Sequence, residues 1–255
     1  MSAWNPETYL QFEKERTLPC RDLASRIELD APSRIADLGC GPGNSTAVLA
    51  ERWPKAGILG IDNSPEMLKI ARSSKVRAEW MEADILCWNP QEQFDLIFSN
   101  AALQWVPDHE KEIPRLFSLV RWGGALAFQM PTHTDLWFDA LQTLQNSSAW
   151  KNQSQPAPSD FYSHELPFYY HMLSKTAKRI DLWETKYFHV LQSPEAVVEW
   201  TKGTALRPLL DQLPDNTARE AFVREYTKQI GLAFPRQPDG KILFPFLRRF
   251  VVAYS

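Results

Sequence analysis

Apolar positions recur along the chain with two periods, about two residues where a strand is expected and about 3.6 where a helix is, and each change of period marks a boundary. Residues 1 to 32 read as two short helices separated near Pro19, with Tyr9, Leu10, Phe12 and Glu13 on one face of the first and Leu23, Ala24 and Ile27 on one face of the second. A short apolar run, Ile35-Ala36, then enters a turn from Asp37 to Asn44, and Ser45 to Arg52 continues as a helix. A second apolar run, Ile58 to Ile61, ends at Asp62. Asn63-Ser64-Pro65-Glu66-Met67 supplies a cap, a proline for the first turn and an acid close behind, which starts a helix through about Arg72. Strands are predicted from Val76 to Met81 and from Phe94 to Ser99, the first followed by Glu82-Ala83-Asp84-Ile85 and the second by Asn100. A helix from Asp108 to Leu119 and a turn at Trp122-Gly123-Gly124 lead to a fifth strand, Ala125 to Met130. Five strands alternating with helical stretches predict an α/β fold, a doubly wound, parallel sheet with helices on both faces.

Beyond Thr132 the periodicity weakens as far as Phe168, with a polar run at Asn146-Ser147-Ser148 and a Pro156-Ala157-Pro158-Ser159 turn, and this stretch reads as an insertion. Tyr169 to Ala177 reads as a helix and Arg179 to Val190 as a long strand. Ser193-Pro194-Glu195 starts another helix, Thr201 to Leu210 is a broken helical stretch, and Thr217 to Ile230 is amphipathic. Lys241 to Tyr254 closes the chain as a strand in which Pro245 predicts an irregularity.

The turn after the first strand carries the chemistry. Gly39-Cys40-Gly41-Pro42-Gly43 allows positive φ angles and lets a ligand lie on main-chain N–H groups at the start of a helix, and Asp62, at the end of the next strand, is placed to hydrogen-bond a ribose diol. Asp37 directly before the glycines selects among nucleotides. A carboxylate beside a pyrophosphate costs on the order of 4 kcal/mol at ~4 Å and an effective dielectric of ~20. A dinucleotide is therefore disfavoured, and a nucleoside carrying positive charge is favoured. GxGxG in place of GxGxxG is the spacing found in enzymes that use S-adenosyl-L-methionine, whose ammonium and sulfonium an acid attracts.

Ligands of a doubly wound sheet lie across the carboxyl ends of its strands, where Asp37, Asp62, Asp84 and Asn100 all fall. Asp84, between Ala83 and Ile85, is the expected partner of the adenine amino group. Gly39, Gly41, Gly43, Asn44, Asn63 and Met67 complete the expected cofactor contacts, with Asn100 and Gln104 between cofactor and acceptor, Gln104 being placed equally well to cap the next helix. Trp4 and Tyr9 are placed equally well to fold over the crevice or to pack on the core.

The length of 255 residues suits one domain, with an N-terminal helical lid at 1–32, a cofactor-binding core at 33–131 and substrate-lid insertions at 132–168 and 191–240. A net charge of −3 gives no basic footprint and argues against nucleic acid as a partner. Cys20, Cys40 and Cys87 are odd in number and widely spaced, which fits reduced thiols, and the five histidines share no metal-ligand spacing with them. No basic leader precedes an apolar stretch and no apolar run is long enough to cross a membrane, so the expectation is a cytoplasmic protein without metal.

With these features in place, the chain resembles the trans-aconitate 2-methyltransferase family from end to end. The resemblance is carried by Trp4-Asn5-Pro6 with Tyr9-Leu10, by Ala36 to Thr46, Gly60-Ile61-Asp62, Glu82 to Ile85, Asp95 to Phe98 with Asn100, Leu103-Gln104-Trp105 with Pro107-Asp108-His109, Gln129-Met130-Pro131, Tyr169-Tyr170 and Leu206-Arg207-Pro208. It implies a mostly parallel seven-stranded, Rossmann-like sheet whose last strand is antiparallel. It implies S-adenosyl-L-methionine as cofactor and a small tricarboxylate as substrate. The expected substrate contacts are Trp4, Tyr9, Trp105, Tyr169, Tyr170 and Arg207, with core packing the alternative for Tyr169 and Tyr170, capping of the next helix that for Trp105, and a surface pair with Asp211 that for Arg207. Arg207 is the first choice to grip a carboxylate, Arg16, Arg21 and Lys202 are weaker ones, and no catalytic acid or base is expected. Another small carboxylic acid or a quinone precursor as acceptor, a nicotinamide-dependent oxidoreductase, a non-enzymatic binding module, and either a monomer or a homodimer stay open on the residues alone.

Overall fold

The computed structural model describes residues 13–132, 136–151, 153, 162–202 and 206–255, with side chains described for these except at 13–16 and 207–208. Seven strands form one sheet: β1 (Arg34–Leu38), β2 (Gly57–Asp62), β3 (Glu79–Glu82), β4 (Phe94–Asn100), β5 (Val120–Pro131), β6 (Arg179–Leu191) and β7 (Ile242–Tyr254). Their order is β3-β2-β1-β4-β5-β7-β6, with β7 antiparallel to both neighbours and the pairs among β1 to β5 parallel. The chain reverses direction across the sheet between β1 and β4, which opens a crevice at the carboxyl edge.

Alternation along the strands decides what lies on each face. On one face Ile35, Leu96, Phe98, Ala127 and Phe250 pack beneath α1 (Glu13–Arg26) and α2 (Asn44–Arg52) through Leu23, Ile27, Val48 and Leu49. On the other, Ile97, Leu126, Phe128 and Val251 meet α4 (His109–Ser118) and α6 (Leu166–Leu173) through Ile113, Leu116 and Met172, while α3 (Pro65–Ser73) runs between β2 and β3. Each such fully buried side chain contributes roughly 1.5–3 kcal/mol.

A third core lies apart. β5 stops pairing at Pro131↔Arg248, yet β6 and β7 continue as a two-stranded ribbon to Leu191↔Ile242, past the carboxyl edge. On that projection pack α5 (Leu136–Gln145), α7 (Pro194–Lys202), α8 (Arg207–Gln212) and α9 (Asn216–Ala233), through Trp137, Leu141, Trp200, Leu209, Phe222, Tyr226, Phe244 and Phe246. The Tyr226 hydroxyl donates to Trp137 O at 3.1 Å, so even the polar atom of that ring is satisfied.

Several expectations are corrected. Pro19 lies inside the continuous helix α1, because burial of Cys20, Leu23, Ala24 and Ile27 outweighs the roughly 3 kcal/mol that a proline costs a helix. β3 starts at Glu79, not Val76, since its pairing with β2 begins at Leu59↔Glu79. β5 begins at Val120 and absorbs the Trp122-Gly123-Gly124 turn as an irregularity between Phe94 and Leu96 of its partner, with Gly123 at φ 78°. α5 lies in the stretch expected to be irregular, its apolar residues serving the third core. α6 starts at Leu166, where Pro167 opens the first turn. Pro245 causes no break opposite Phe188, because beyond Arg248 β7 has β6 as its one strand neighbour among the described residues. The expected first helix with Tyr9 and Leu10 lies outside the described residues.

Candidate functional site

At the carboxyl edge the ends of β1 to β4 enclose a cleft of about 920 Å³, open mouth included. Its wall is built from Gly39, Gly41 and Pro42 after β1, Asp62, Asn63 and Met67 after β2, Ala83 to Leu86 after β3, and Asn100 to Ala102 with Trp105 and Val106 after β4. Among the described residues that line it are two aspartates and no lysine or arginine.

The glycine turn is shaped by contact as well as by dihedral angle. Gly39 has φ 68°, and a Cβ there would stand 2.2 Å from Ala102 Cβ, so the β1 and β4 turns meet only because the side chain is absent. Gly41, at φ 55°, faces open space, and a ligand can approach its backbone. Gly43 lies away from the cleft, where a Cβ would strike the Trp80 ring at 2.9 Å, and Asn44 lines a small recess behind the turn with Thr17, Cys20 and Ser45.

The three acids do different work. Asp62 Oδ2 accepts from Gly41 N–H at 2.8 Å and Oδ1 from Ser64 N–H at 2.9 Å, so one carboxylate ties the glycine turn to the start of α3 while bordering the cleft. Burial raises its pKa, and the backbone N–H donors oppose that shift. Asp84 Oδ1 accepts from Leu86 N–H at 2.9 Å, leaving its second oxygen beside the wall. Asp37 is fully buried behind the turn. Its Oδ2 accepts from Ser45 Oγ at 2.7 Å and Thr46 Oγ1 at 2.6 Å, while Oδ1 has no hydrogen-bond partner among the described residues. Burial pushes its pKa up to about 6, the two hydroxyls pull against that, and the charge of Asp62 adds to it.

The loop from Ala83 to Trp88 is fastened from outside by Arg115 of α4, which donates to Ile85 O at 2.7 Å and Trp88 O at 2.8 Å and pairs with the buried Glu112 at 2.6 Å. The turn after β4 is fastened by His109. One ring nitrogen meets Leu103 O at 2.9 Å, which requires a proton there, and the other meets the Tyr169 hydroxyl at 2.9 Å. Sequence reasoning missed both ties, which join residues far apart in the chain. It also missed Pro42, Leu86, Ala101, Ala102 and Val106 in the wall, flanking residues whose neighbours were named.

Of the expected cofactor contacts, Gly39, Gly41, Asp62, Asn63, Met67, Ala83, Asp84, Ile85 and Asn100 line the cleft; Asp37, Gly43, Asn44 and Gln104 do not. Gln104 is buried, its Nε2 donating to Ala101 O at 2.7 Å. Of the expected substrate contacts, Trp105 lines the cleft. Tyr169 is fully buried, packed against Phe128, and its hydroxyl is engaged by His109 and accepts from His164 N–H at 3.1 Å. Tyr170 is half exposed on α6, away from the cleft wall. Arg21 pairs with Glu51 at 2.9 Å and Lys202 with Glu199 at 2.5 Å on the surface. Trp4 and Tyr9, and the side chains of Arg16 and Arg207, lie outside the described part. Among the described residues no group of three or more His, Cys, Asp or Glu is placed to hold a metal, and no helix is long and apolar enough to cross a membrane.

A cleft whose described lining holds two aspartates and no lysine or arginine, entered over a bare glycine backbone, fits a positively charged nucleoside and not a pyrophosphate. Comparison with known proteins agrees. Residues 35–124 match the model of a methyltransferase domain. Among solved structures, the YcgJ protein of Bacillus subtilis superposes with a TM-score of 0.58 at 15% identity over 94% of this chain and 97% of that one. The plantazolicin methyltransferase BpumL in complex with SAH does so at 0.53 and 15%, over 97% and 87%. These likenesses show the fold. Curated relatives go further: a trans-aconitate 2-methyltransferase of Rhodopseudomonas palustris is 43% identical over 99% of both chains. That of Azoarcus sp. is 42% identical over 99% of both, and that of Escherichia coli 42% over 99% of this chain and 98% of its own. With relatives matching at this level from end to end, the chain belongs to the trans-aconitate 2-methyltransferase family of S-adenosyl-L-methionine-dependent enzymes.

Proposed function

We propose that the protein moves a methyl group from S-adenosyl-L-methionine to a carboxylate of trans-aconitate, giving a monomethyl ester and S-adenosyl-L-homocysteine. The observation that carries this reading is the full-length likeness to relatives bearing that name, set on a cleft whose charge suits the cofactor. In this reading Asp62 holds the ribose diol, Asp84 with Ala83 and Ile85 receives the adenine edge, and the backbone around Gly41 supports the amino-acid end. Asp37, with one buried oxygen unengaged among the described residues, adds negative potential from behind the turn. The 132–168 and 191–240 segments form the substrate lid, and Trp105 borders the acceptor.

When bound, the cofactor supplies an electrophilic methyl on a sulfonium, which a carboxylate oxygen accepts as the C–S electron pair stays on sulfur. An acceptor carboxyl has a pKa far below 7 and arrives ionised, so no proton moves and no general base is needed. The side chains fit that economy: the described titratable groups on the wall are Asp62 and Asp84, and the ring nitrogens of His109 are both engaged elsewhere. The protein's work is alignment and the exclusion of water from an anion meeting a cation. Incubation with methyl-labelled cofactor and a panel of di- and tricarboxylates tests the reading. Label in a base-labile ester of trans-aconitate is expected; label only in phenols overturns it.

A further inference from the structure

β6 closes one side of the sheet, and among the described residues its 13 residues have β7 as their one strand neighbour. A free edge of that length is a template for a further strand, and sheets guard such edges with a bulge, a proline or a charge. β6 has no proline, and its register with β7 runs unbroken from Arg179↔Tyr254 to Leu191↔Ile242. The charges at its centre are Glu184 and Lys186, of opposite sign, with Thr185 between them. Thr185 also marks a change along the strand. It stands opposite Arg248, where β5 stops pairing with β7, so the half of β6 before it lies in the sheet and the half after it belongs to the projecting ribbon.

The two halves differ in cover. In the first, Ile180 and Leu182 are partly buried against the core beneath α4 and α6. In the second, Phe188 and Val190 continue the same face at 60% and 55% exposure, opposite Pro245 and Leu243 of β7. Ile242, Phe244 and Phe246, on the other face of the ribbon, belong to the third core, so the ribbon is apolar on both faces and covered on one among the described residues. The charges are uneven as well. Arg249 donates to Glu184 at 2.9 Å and also to Glu165, so two carboxylates share one guanidinium, while the exposed Lys186 has no ion pair among the described residues.

We infer that two copies of this chain join edge to edge through β6, antiparallel about a two-fold axis at Thr185, in one sheet continuous across both. That axis sets Glu184 opposite Lys186, Leu182 opposite Phe188 and Ile180 opposite Val190 on one face, and Trp183 opposite Tyr187 and Asp181 opposite His189 on the other. No like charges meet, and in an isologous contact each match occurs twice. Moving the axis by one residue sets Glu184 against Glu184 or Lys186 against Lys186, and moving it by two sets both charges against apolar side chains. The pattern of β6 is therefore complementary to itself in one register. The projecting half of each strand is held by the sheet-borne half of the other, which gives the ribbon beneath the third core a third strand; two strands alone are marginal. The contact stands independently of the methyl-transfer reading.

Sedimentation equilibrium of the full chain tests the contact. The wild type is expected to form a species of twice the 29.4 kDa chain at micromolar concentration. Lys186→Glu, which opposes carboxylates across the axis, is expected to raise the dissociation constant at least about tenfold. Phe188→Lys, at a side chain already exposed in the single chain, is expected to do the same and serves where Lys186→Glu does not fold. The register has its own readout. Thr185 faces its own copy with Cβ atoms roughly 5 Å apart, so Thr185→Cys in a Cys87→Ser chain is expected to give a covalent dimer with a short bismaleimide, and Val190→Cys in the same background is not. A wild type that sediments as the single chain throughout, a dimer whose constant neither folded variant moves, or cross-linking at 190 and not at 185 overturns the inference.

Discussion

Replacing Asp62 by alanine removes a carboxylate that the glycine turn and the proposed ribose site share. In the protein its two oxygens accept Gly41 N–H at 2.8 Å and Ser64 N–H at 2.9 Å, and the residue lines the cleft. A hydrogen bond to a charged group contributes about 1.5–3 kcal/mol, so the loss of one to the ribose weakens product binding by roughly 10- to 150-fold. Stability falls by less than two such bonds, because burial already raises the Asp62 pKa and its removal relieves that desolvation. The raised pKa also fixes a sign. Acidification protonates Asp62 earlier than an ordinary aspartate, so product affinity declines on the acid side in wild type, and that limb is absent in Asp62→Asn. Isothermal calorimetry with S-adenosyl-L-homocysteine, read beside a thermal melt, checks both statements. A dissociation constant within about threefold of wild type in a folded Asp62→Ala protein refutes the ribose role.

Three further outcomes are expected. The Asp37 carboxyl, whose pKa rises in the folded state from 3.8 to about 6, binds its proton more tightly folded than unfolded; stability is therefore lost as pH rises from about 4 to 6, by on the order of 3 kcal/mol, and urea melts across that range are flatter in Asp37→Asn. Gly39→Ala combines a positive φ with a 2.2 Å overlap on Ala102, and lowers both the melting temperature and product affinity, in contrast to Gly240→Ala, which is strained at φ 81° but meets nothing within 4 Å. Arg115→Met leaves the buried Glu112 with the more distant Lys111, at 3.7 Å, as its cationic partner and frees the Ile85 and Trp88 carbonyls, costing roughly 3 kcal/mol in denaturant melts, part of which Glu112→Gln in the same chain recovers.

The sheet and much of the cleft wall were legible because their signals are local. Ile35 to Asp62 encodes strand, turn, helix and acid within one short stretch, and β1, β2 and β4 follow from short, mostly apolar runs. Pro19 misled because a local rule lost to burial that only the fold supplies. The helix at Leu136–Gln145 was hidden because its apolar residues answer to Phe246 and Tyr226, about a hundred positions away. Tyr169 was named for its hydroxyl, and the structure gives that hydroxyl to His109.

The separate third core has a practical consequence for observing the enzyme at work. Trp137, Trp150 and Trp200 are all buried in it, with Trp137 stacked on Phe246 at 6.1 Å and Trp150 edge-on to Phe222 at 5.0 Å. A change in packing there alters the polarity around three indoles at once, whereas Trp53 and Trp88 sit in the other two cores. Intrinsic emission followed through a stopped-flow cycle therefore carries an optical record of the ribbon-borne helices, and substituting Trp53, Trp80, Trp88 and Trp105 by phenylalanine removes the emitters that sit beside the glycine turn, on the cleft wall and in the other two cores.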